Sequence, residues 1–206
     1  MEIACLDLEG VLVPEIWIDF AERTGIDELR ATTRDVPDYD VLMKQRLRLL
    51  DENGLKLQDI QAVIADMSPL DGAIDFIDWL RERFQVVILS DTFYQFSQPL
   101  MRQLGWPTLL CHRLEVDESG RVVDYCLRQK DPKYHAVKAL QSLHYRVVAA
   151  GDSYNDTTML AAAEQGILFH APDNVKSEFP QFVAVDTFGD LKRAFVDASV
   201  RDVSVD

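Results

Sequence analysis

Asp7 and Glu9 stand two positions apart where the apolar run Ile3-Ala4-Cys5-Leu6 gives out, and Gly10 follows at once. Side chains two apart on an extended strand point the same way. A strand tip with two acids packs poorly, but the pair suits chemistry: one carboxylate attacks while the other moves a proton. With Asp7 as nucleophile on a phosphate ester, an acyl-phosphate results. Glu9 then protonates the leaving oxygen and later deprotonates the incoming acceptor. An N-terminal strand running into a polar loop has the same appearance. Further polar clusters downstream favour the chemical reading.

Ser90-Asp91-Thr92 follows the apolar run 86–89. A hydroxyl and fresh backbone N–H groups at a strand-to-helix junction suit an oxyanion or phosphate. They equally suit an ordinary helix N-cap. Lys133 comes just after Asp131-Pro132, which reads as N-cap and first helical position. A cation in a first turn opposes the helix dipole, so it is either a tolerated surface lysine or a group placed to neutralise a phosphate. Gly151-Asp152-Ser153-Tyr154-Asn155-Asp156 follows another apolar run. Acids and an amide at a strand end suit a hard, oxygen-loving cation such as Mg²⁺.

Arg46 shares a helical face with Tyr39, Leu42, Met43, Leu49 and Leu50. A guanidinium on an apolar face needs an anionic partner. That partner is an internal acid or a ligand carboxylate, which arginine grips bidentately. Glu15 either favours a helix N-terminus or meets a ligand ammonium.

Positioning these groups requires strands whose ends converge. Short β-rich runs at 3–7, 85–90, 108–111, 146–150, 166–169 and 182–185 alternate with helical patterns at 72–83, 93–104, 132–143, 155–164 and 188–198. The unbroken apolar runs 86–89 and 147–150 read as strands buried on both faces of a parallel sheet. The expected fold is therefore α/β, a Rossmann-like parallel sheet with helices on both faces. Residues 14–69 break the rhythm, with helical patterns at 15–24, 38–51 and 57–66 and no convincing strand. They read as a small helical cap inserted after the first strand, over the carboxyl ends where open α/β sheets bind ligands. The expected organisation is a core of residues 1–13 and 70–206 and a cap of residues 14–69. A second interruption spans 111–128, with Asp117-Glu118-Ser119-Gly120 as a hairpin turn. Residues 199–206 read as a frayed tail.

The chain has 206 residues, 48% of them hydrophobic, enough for a sizeable core and for a homodimer surface. Its 35 acids against 21 bases leave a net charge of −14, which argues against nucleic acid or an anionic membrane as partner. An anionic small-molecule substrate needs only a local cluster of positive groups. Cys5, Cys111 and Cys126 are odd in number and form no CxxC, as expected of free thiols in a reducing compartment. The chain opens directly into its first strand, with no signal peptide ahead of it, and no apolar run approaches membrane-spanning length. The reading is a cytoplasmic protein.

Taken in order, the clusters resemble the four motifs of the haloacid-dehalogenase-like phosphatase superfamily. Asp7-Leu8-Glu9-Gly10 matches the first, Ser90 the second, Lys133 the third, and Gly151-Asp152 with Asn155-Asp156 the fourth. The resemblance spans residues 3–165. Within the superfamily the chain is similar to phosphoserine phosphatases, and most to those that also transfer the phosphoryl group to homoserine. The resemblance implies catalysis by Asp7 and Glu9, and Mg²⁺ held by Asp7, the Glu9 carbonyl and Asp152. It also implies O-phospho-L-serine bound by Glu15, Arg46, Ser90, Asp91, Lys133 and Asn155, with L-homoserine as a second acceptor. Two positions depart from the pattern: Glu9 stands for the usual aspartate, and Asp91 for the usual glycine. Two alternatives are a phosphatase or phosphotransferase for another small phosphate ester, and a regulatory protein on a disused scaffold.

Overall fold

The computed structural model describes residues 1–32, 35–36 and 38–205. The first strand, β1 (Glu2–Leu6), is buried along its whole length. It pairs in parallel with β2 (Gln85–Phe93) on one side and β5 (Arg146–Gly151) on the other. Outside these lie β3 (Thr108–Val116) and β4 (Val122–Cys126) at one edge, and β6 (Gln165–Phe169) and β7 (Val183–Val185) at the other. The order is β4-β3-β2-β1-β5-β6-β7, parallel except for the antiparallel β3–β4 pair. The chain leaves β1 in one direction and returns to its other side, so the carboxyl ends of β1 and β5 form the switch point where such sheets bind ligands.

Alternation along the strands builds two apolar layers. Ala4, Leu6, Ile88, Val148 and Ala150 face one, with α4 (Ala73–Arg83), α5 (Tyr94–Gln103) and α9 (Phe188–Ala198) supplying Phe76, Leu100 and Phe195. Ile3, Cys5, Leu89, Val147 and Ala149 face the other, against Val137 of α6 (Pro132–Ser142), Leu160 of α7 (Thr157–Ala162) and Val175 of α8 (Asp173–Glu178). The expected α/β sheet with helices on both faces is what the chain forms. Between β1 and α4 the described residues form α1 (Ile16–Thr24), a 3-10 turn (Asp27–Arg30), α2 (Tyr39–Glu52) and α3 (Leu57–Ala65), with no paired strand. Phe20, Met43 and Ile64 of this segment join the same apolar cluster as Leu6 and Ile88.

Several boundaries differ from the sequence reading. β2 continues to Phe93, past the expected end at Ser90. β3 runs unbroken to Val116, because its pairing passes from β2 to β4 where the apolar run ends. The turn at 117–120 is a hairpin, closed by Asp117 N–H to the Arg121 carbonyl at 3.0 Å. This second insertion is therefore a sheet extension, and it reaches the helical segment. Leu57 N–H donates to the Gly120 carbonyl at 2.8 Å. The Tyr125 hydroxyl donates to Asp40 Oδ1 at 2.6 Å, and Arg121 Nε meets Asp51 Oδ1 at 2.7 Å. Among the described residues, no helix is long and apolar enough to cross a membrane.

The carboxyl-terminal residues are tethered rather than frayed at their start. Glu2, 4% exposed, accepts from the Ser199 hydroxyl at 2.6 Å, Val200 N–H at 2.9 Å and Arg201 Nε at 2.7 Å. Burial raises the Glu2 carboxyl, but the bonds from Ser199, Arg201 and Val200 outweigh it and hold it below the ordinary 4.5. A carboxyl depressed in the folded state contributes stability above its unfolded value and loses it as pH falls through the folded value. Glu2→Gln should therefore cost about 1–3 kcal/mol at neutral pH, with the cost shrinking in acid. Urea midpoints of both proteins across that range check this. Parallel curves would rule it out.

Candidate active site

The residues after β1 are placed by the sheet. Asp7 N–H donates to the Ala150 carbonyl at 2.9 Å, which keeps Asp7 in register with β5. Its Oδ1 accepts Leu8 N–H at 2.7 Å. The chain then folds back, with Leu12 and Val13 N–H on the Leu8 carbonyl at 2.8 and 3.0 Å. Gly10 lies at φ +77°, and a Cβ there would stand 2.5 Å from Asp152 Cγ. Glycine thus lets the loop after β1 lie directly against the carboxylate after β5.

Lys133 enters from α6. Asp131, left-handed at φ 46°, is the N-cap residue of that helix without a side-chain cap, and its Oδ1 accepts the Thr158 hydroxyl at 2.9 Å. Pro132 follows, and Lys133 in the first turn is only 2% exposed. Its ammonium lies 2.7 Å from Asp156 Oδ1, 3.0 Å from Asp7 Oδ1 and 3.5 Å from Asp91 Oδ2. Burial disfavours this charge, but Asp156, Asp7 and Asp91 outweigh it and hold Lys133 well above its ordinary value. The reading as a tolerated surface lysine does not hold. Asp156, fully buried, turns its other oxygen to the N–H groups of Asp152 at 2.9 Å and Ser153 at 3.2 Å.

One ammonium does not balance the acids. Burial, then Asp156, push Asp7 well above the ordinary carboxylate value; Lys133 pulls the other way, and Asp152 and Asp91 push again. Asp152 is raised to about 7 by burial, Asp156 and Glu15. Carboxylate oxygens of Asp7, Asp152 and Asp156 lie within 4.8 Å of one another. An all-oxygen, over-charged cluster fits a hard cation such as Mg²⁺. Asp156 has committed its oxygens to Lys133 and backbone N–H groups, which leaves Asp7 and Asp152 as donors. The Glu9 carboxylate is not in this cluster.

Ser90, 3% exposed, accepts Thr92 N–H at 3.2 Å. It caps no helix: the strand continues past it, and α5 begins after Phe93 with no side-chain cap. Asp91 Oδ2 accepts from Asn155 Nδ2 at 2.9 Å, and its Oδ1 lies 3.5 Å from His112 Nε2. Burial raises Asp91, but Lys133, His112 and Asn155 outweigh it and hold the carboxyl well below the ordinary range. The charge that the sequence left unaccounted for thus faces the lysine.

Glu9 Oε2 accepts Ile16 N–H at 2.9 Å, capping α1 from seven residues back. Burial and Glu15 push Glu9 up to about 7, against the Ile16 bond, Arg46 and Lys133. Glu15, exposed, is the N-cap residue of α1 but makes no side-chain cap. Arg46 is buried on α2, with its guanidinium carbon 4.4 Å from the Trp17 ring centre and Nη2 donating to the Ala31 carbonyl at 2.8 Å. Its Nε is buried without a partner. No carboxylate among the described residues lies within ion-pair distance. Burial lowers Arg46 to about 10, while Tyr39, Glu9 and Glu15 pull it upward. Among the described residues no internal acid pairs with it, and of the two readings the ligand anion stays open.

Asp7, Lys133, Asp91 and Asn155 thus form one contact chain, and Asp152 adjoins it through Asp156. Glu9, Glu15 and Arg46 act on one another through charge, and the Ser90 hydroxyl accepts a hydrogen bond from its own strand, at Thr92 N–H. Sequence reasoning counted Asp156 only among the acids of the fourth cluster and did not place it against Lys133. It passed over His112, whose only signal is an imidazole directly after the apolar run 109–111. Gly151 guards this arrangement: a Cβ there would stand 2.4 Å from Asp156 Cγ. Gly151→Ala should destabilise the fold by about 1–3 kcal/mol and weaken divalent-cation binding by shifting Asp156. Denaturation midpoints and titration calorimetry check this, and an unchanged midpoint would refute it.

A family model described as a haloacid dehalogenase-like hydrolase matches residues 1–164. Over 205 residues, 100% of each chain, the protein is 76% identical to phosphoserine phosphatase ThrH of Pseudomonas aeruginosa. It is 75% identical over 203 residues to a phosphoserine phosphatase of Pseudomonas syringae pv. tomato, covering 98% of this chain and 86% of that one. Its fold is similar to the crystal structure of a phosphoserine phosphatase in apo form (TM-score 0.75, 20% identity, 94% of this chain and 97% of that one). It is also similar to a phospho-aspartyl intermediate analogue of phosphoserine phosphatase (TM-score 0.71, 19% identity, 90% and 93%). At such identities the solved structures speak for the fold alone. The family model spans the strand-end acids, the buried lysine and the helical segment between them, and the chain belongs to the haloacid dehalogenase-like hydrolase family.

Proposed function

We propose that the protein is a Mg²⁺-dependent phosphoserine phosphatase that works through an aspartyl-phosphate on Asp7 and also passes the phosphoryl group to homoserine. The observation that carries this reading is the Asp7 carboxylate at the end of the central strand, 3.0 Å from the buried Lys133 ammonium. The 76% identity to a protein named phosphoserine phosphatase supports the substrate.

Asp7 attacks phosphorus, forming a P–O bond as the bond to the serine oxygen breaks. Glu9 gives its proton to that oxygen. Water or the homoserine hydroxyl then attacks the same phosphorus, Glu9 takes the acceptor's proton, and the Asp7 carboxylate is restored. Lys133 and Ser90 hold phosphoryl oxygens, where fixed positive and polar groups lower the barrier. Asp7 and Asp152, with the Glu9 carbonyl, would hold Mg²⁺, which when bound neutralises the acids and polarises a phosphoryl oxygen. Residues 14–69 act as the cap over a core of 1–13 and 70–206. In that cap Arg46 grips the substrate carboxylate and Glu15 the ammonium. The setting is cytoplasmic and the substrate a small molecule.

The testing experiment incubates the protein with O-phospho-L-serine and Mg²⁺, with and without L-homoserine, and follows phosphate and phosphohomoserine together. Phosphate release is expected, with phosphohomoserine growing at its expense when homoserine is present. No product of either kind would overturn the reading. Asp7→Asn should lose turnover while keeping its thermal midpoint without Mg²⁺, because the amide keeps the shape of the carboxyl and relieves the repulsion from Asp156, Asp152 and Asp91. Arg46→Ala should raise KM for phosphoserine roughly ten- to a hundredfold while sparing an ester that lacks a carboxylate. Equal effects on both esters would transfer the assignment to another small phosphate ester.

A further inference from the structure

The strand β2 bulges beside the site. Leu89 pairs with Leu110 and Phe93 with His112, so Ser90, Asp91 and Thr92 stand opposite Cys111 alone. The surplus residues bow out of the ladder, as bulges do where a strand must aim a side chain. Asp91 is carried on the crest of that bow, next to the buried imbalance of charge. His112, 3% exposed, sits at the far end of the bulge on β3. Its Nδ1 accepts Arg128 N–H at 3.1 Å. A ring nitrogen that accepts is unprotonated, so in the neutral imidazole the proton is on Nε2. Nε2 is the atom 3.5 Å from Asp91 Oδ1.

We infer that Asp91 and His112 form a positioning couple, in which His112 fixes the Asp91 carboxylate and Asp91 sets where Lys133 and Asn155 stand against the phosphoryl group. The inference rests on the phosphoryl-transfer reading above and adds to it the groups that aim the lysine. Lys133 has three N–H donors and three acid neighbours. Two of these cannot yield. Asp156 is locked by backbone N–H groups, and Asp7 is the atom to be phosphorylated. Asp91 is the longest of the three contacts and the one whose side chain is a third exposed. It is the neighbour from which the ammonium can turn when a phosphoryl oxygen arrives, and to which it returns on release. That exchange works only if Asp91 stays still. Asn155 at 2.9 Å holds one oxygen and His112 faces the other. From the helical segment the Tyr39 hydroxyl reaches only the Asp91 main-chain carbonyl, at 3.4 Å.

The test compares His112→Gln and His112→Asn. A Gln amide can place an N–H near the Nε2 position and keep the bond to Asp91; an Asn amide ends near Nδ1 and cannot. His112→Asn should lower kcat roughly ten- to a hundredfold with KM within about threefold, and His112→Gln should recover most of it. Asp91→Asn should lower kcat similarly, and adding His112→Asn to it should cost little more, since the two act through one carboxylate. Equal losses in the Gln and Asn variants, losses that multiply in the double variant, or an unchanged kcat in Asp91→Asn would each overturn the couple. Asp91→Asn, on the more exposed side, keeps the test open if a His112 variant fails to fold. The assays run on O-phospho-L-serine and on p-nitrophenyl phosphate. Wild-type turnover of the second alone would count against the substrate reading and leave the couple testable.

Discussion

A single buried ammonium holds the working end of this sheet together. Lys133 is reached by Asp7 after β1, Asp91 on β2 and Asp156 after β5. Three neighbouring strands and the start of α6 therefore meet at one nitrogen. A buried charge of either sign is costly unless paired. Removing the lysine would leave several carboxylates in the same small volume, and removing the acids would strand the ammonium. Much of the local backbone follows from this need: the left-handed turn at Asp131, the glycine at 151 that admits the Asp156 carboxylate, and the glycine at 10 that admits Asp152. The balance is also incomplete by design of the sequence. Acids exceed the ammonium, and the surplus is what gives the cluster its fit to a hard divalent cation.

The helical segment carries the opposite imbalance. Arg46 is buried against Trp17, with no acid in ion-pair distance among the described residues. The acids around Lys133 outnumber its one positive charge, and Arg46 has no acid partner among the described residues. A ligand anion and a divalent cation would each meet one of these imbalances. The β3–β4 hairpin makes this juxtaposition stable, because Gly120, Arg121 and Tyr125 bind the helical segment from the core side. The segment just after β4 supplies Arg128 N–H to His112, so the edge of the sheet supports both the contact with the helical segment and the bulge.

The strands and the site acids were legible because they obey local rules. An apolar run that stops at an acid marks a strand end, whatever the rest of the chain does. The parallel order followed from unbroken apolar runs separated by helices. What escaped the sequence depends on distant partners. The bulge at Ser90-Asp91-Thr92 has no local signature, and the three residues look the same in a helix cap. Asp156 reads as a turn residue until α6 brings Lys133 against it. The tether of the tail needs Glu2 and Ser199, which are 197 positions apart. Helix α8, only six residues long, gives too short a period to recognise. Arg46 was half legible: its apolar face showed that it needed an anion, and only the fold showed that no described residue supplies one within ion-pair distance.

Glu9 is where the chemistry and the helical segment are joined. Its Oε2 is held by Ile16 N–H, in the first turn of the helix that leads away from β1. A helix N-terminus favours the carboxylate, while burial and Glu15 favour the neutral acid, and the result near 7 leaves both protonation states within reach. An aspartate at this position would be one methylene shorter. The longer side chain does more than substitute for the shorter one. It makes the seating of α1 and the protonation of the acid parts of one equilibrium, since movement of that helix removes the bond that stabilises the charged form.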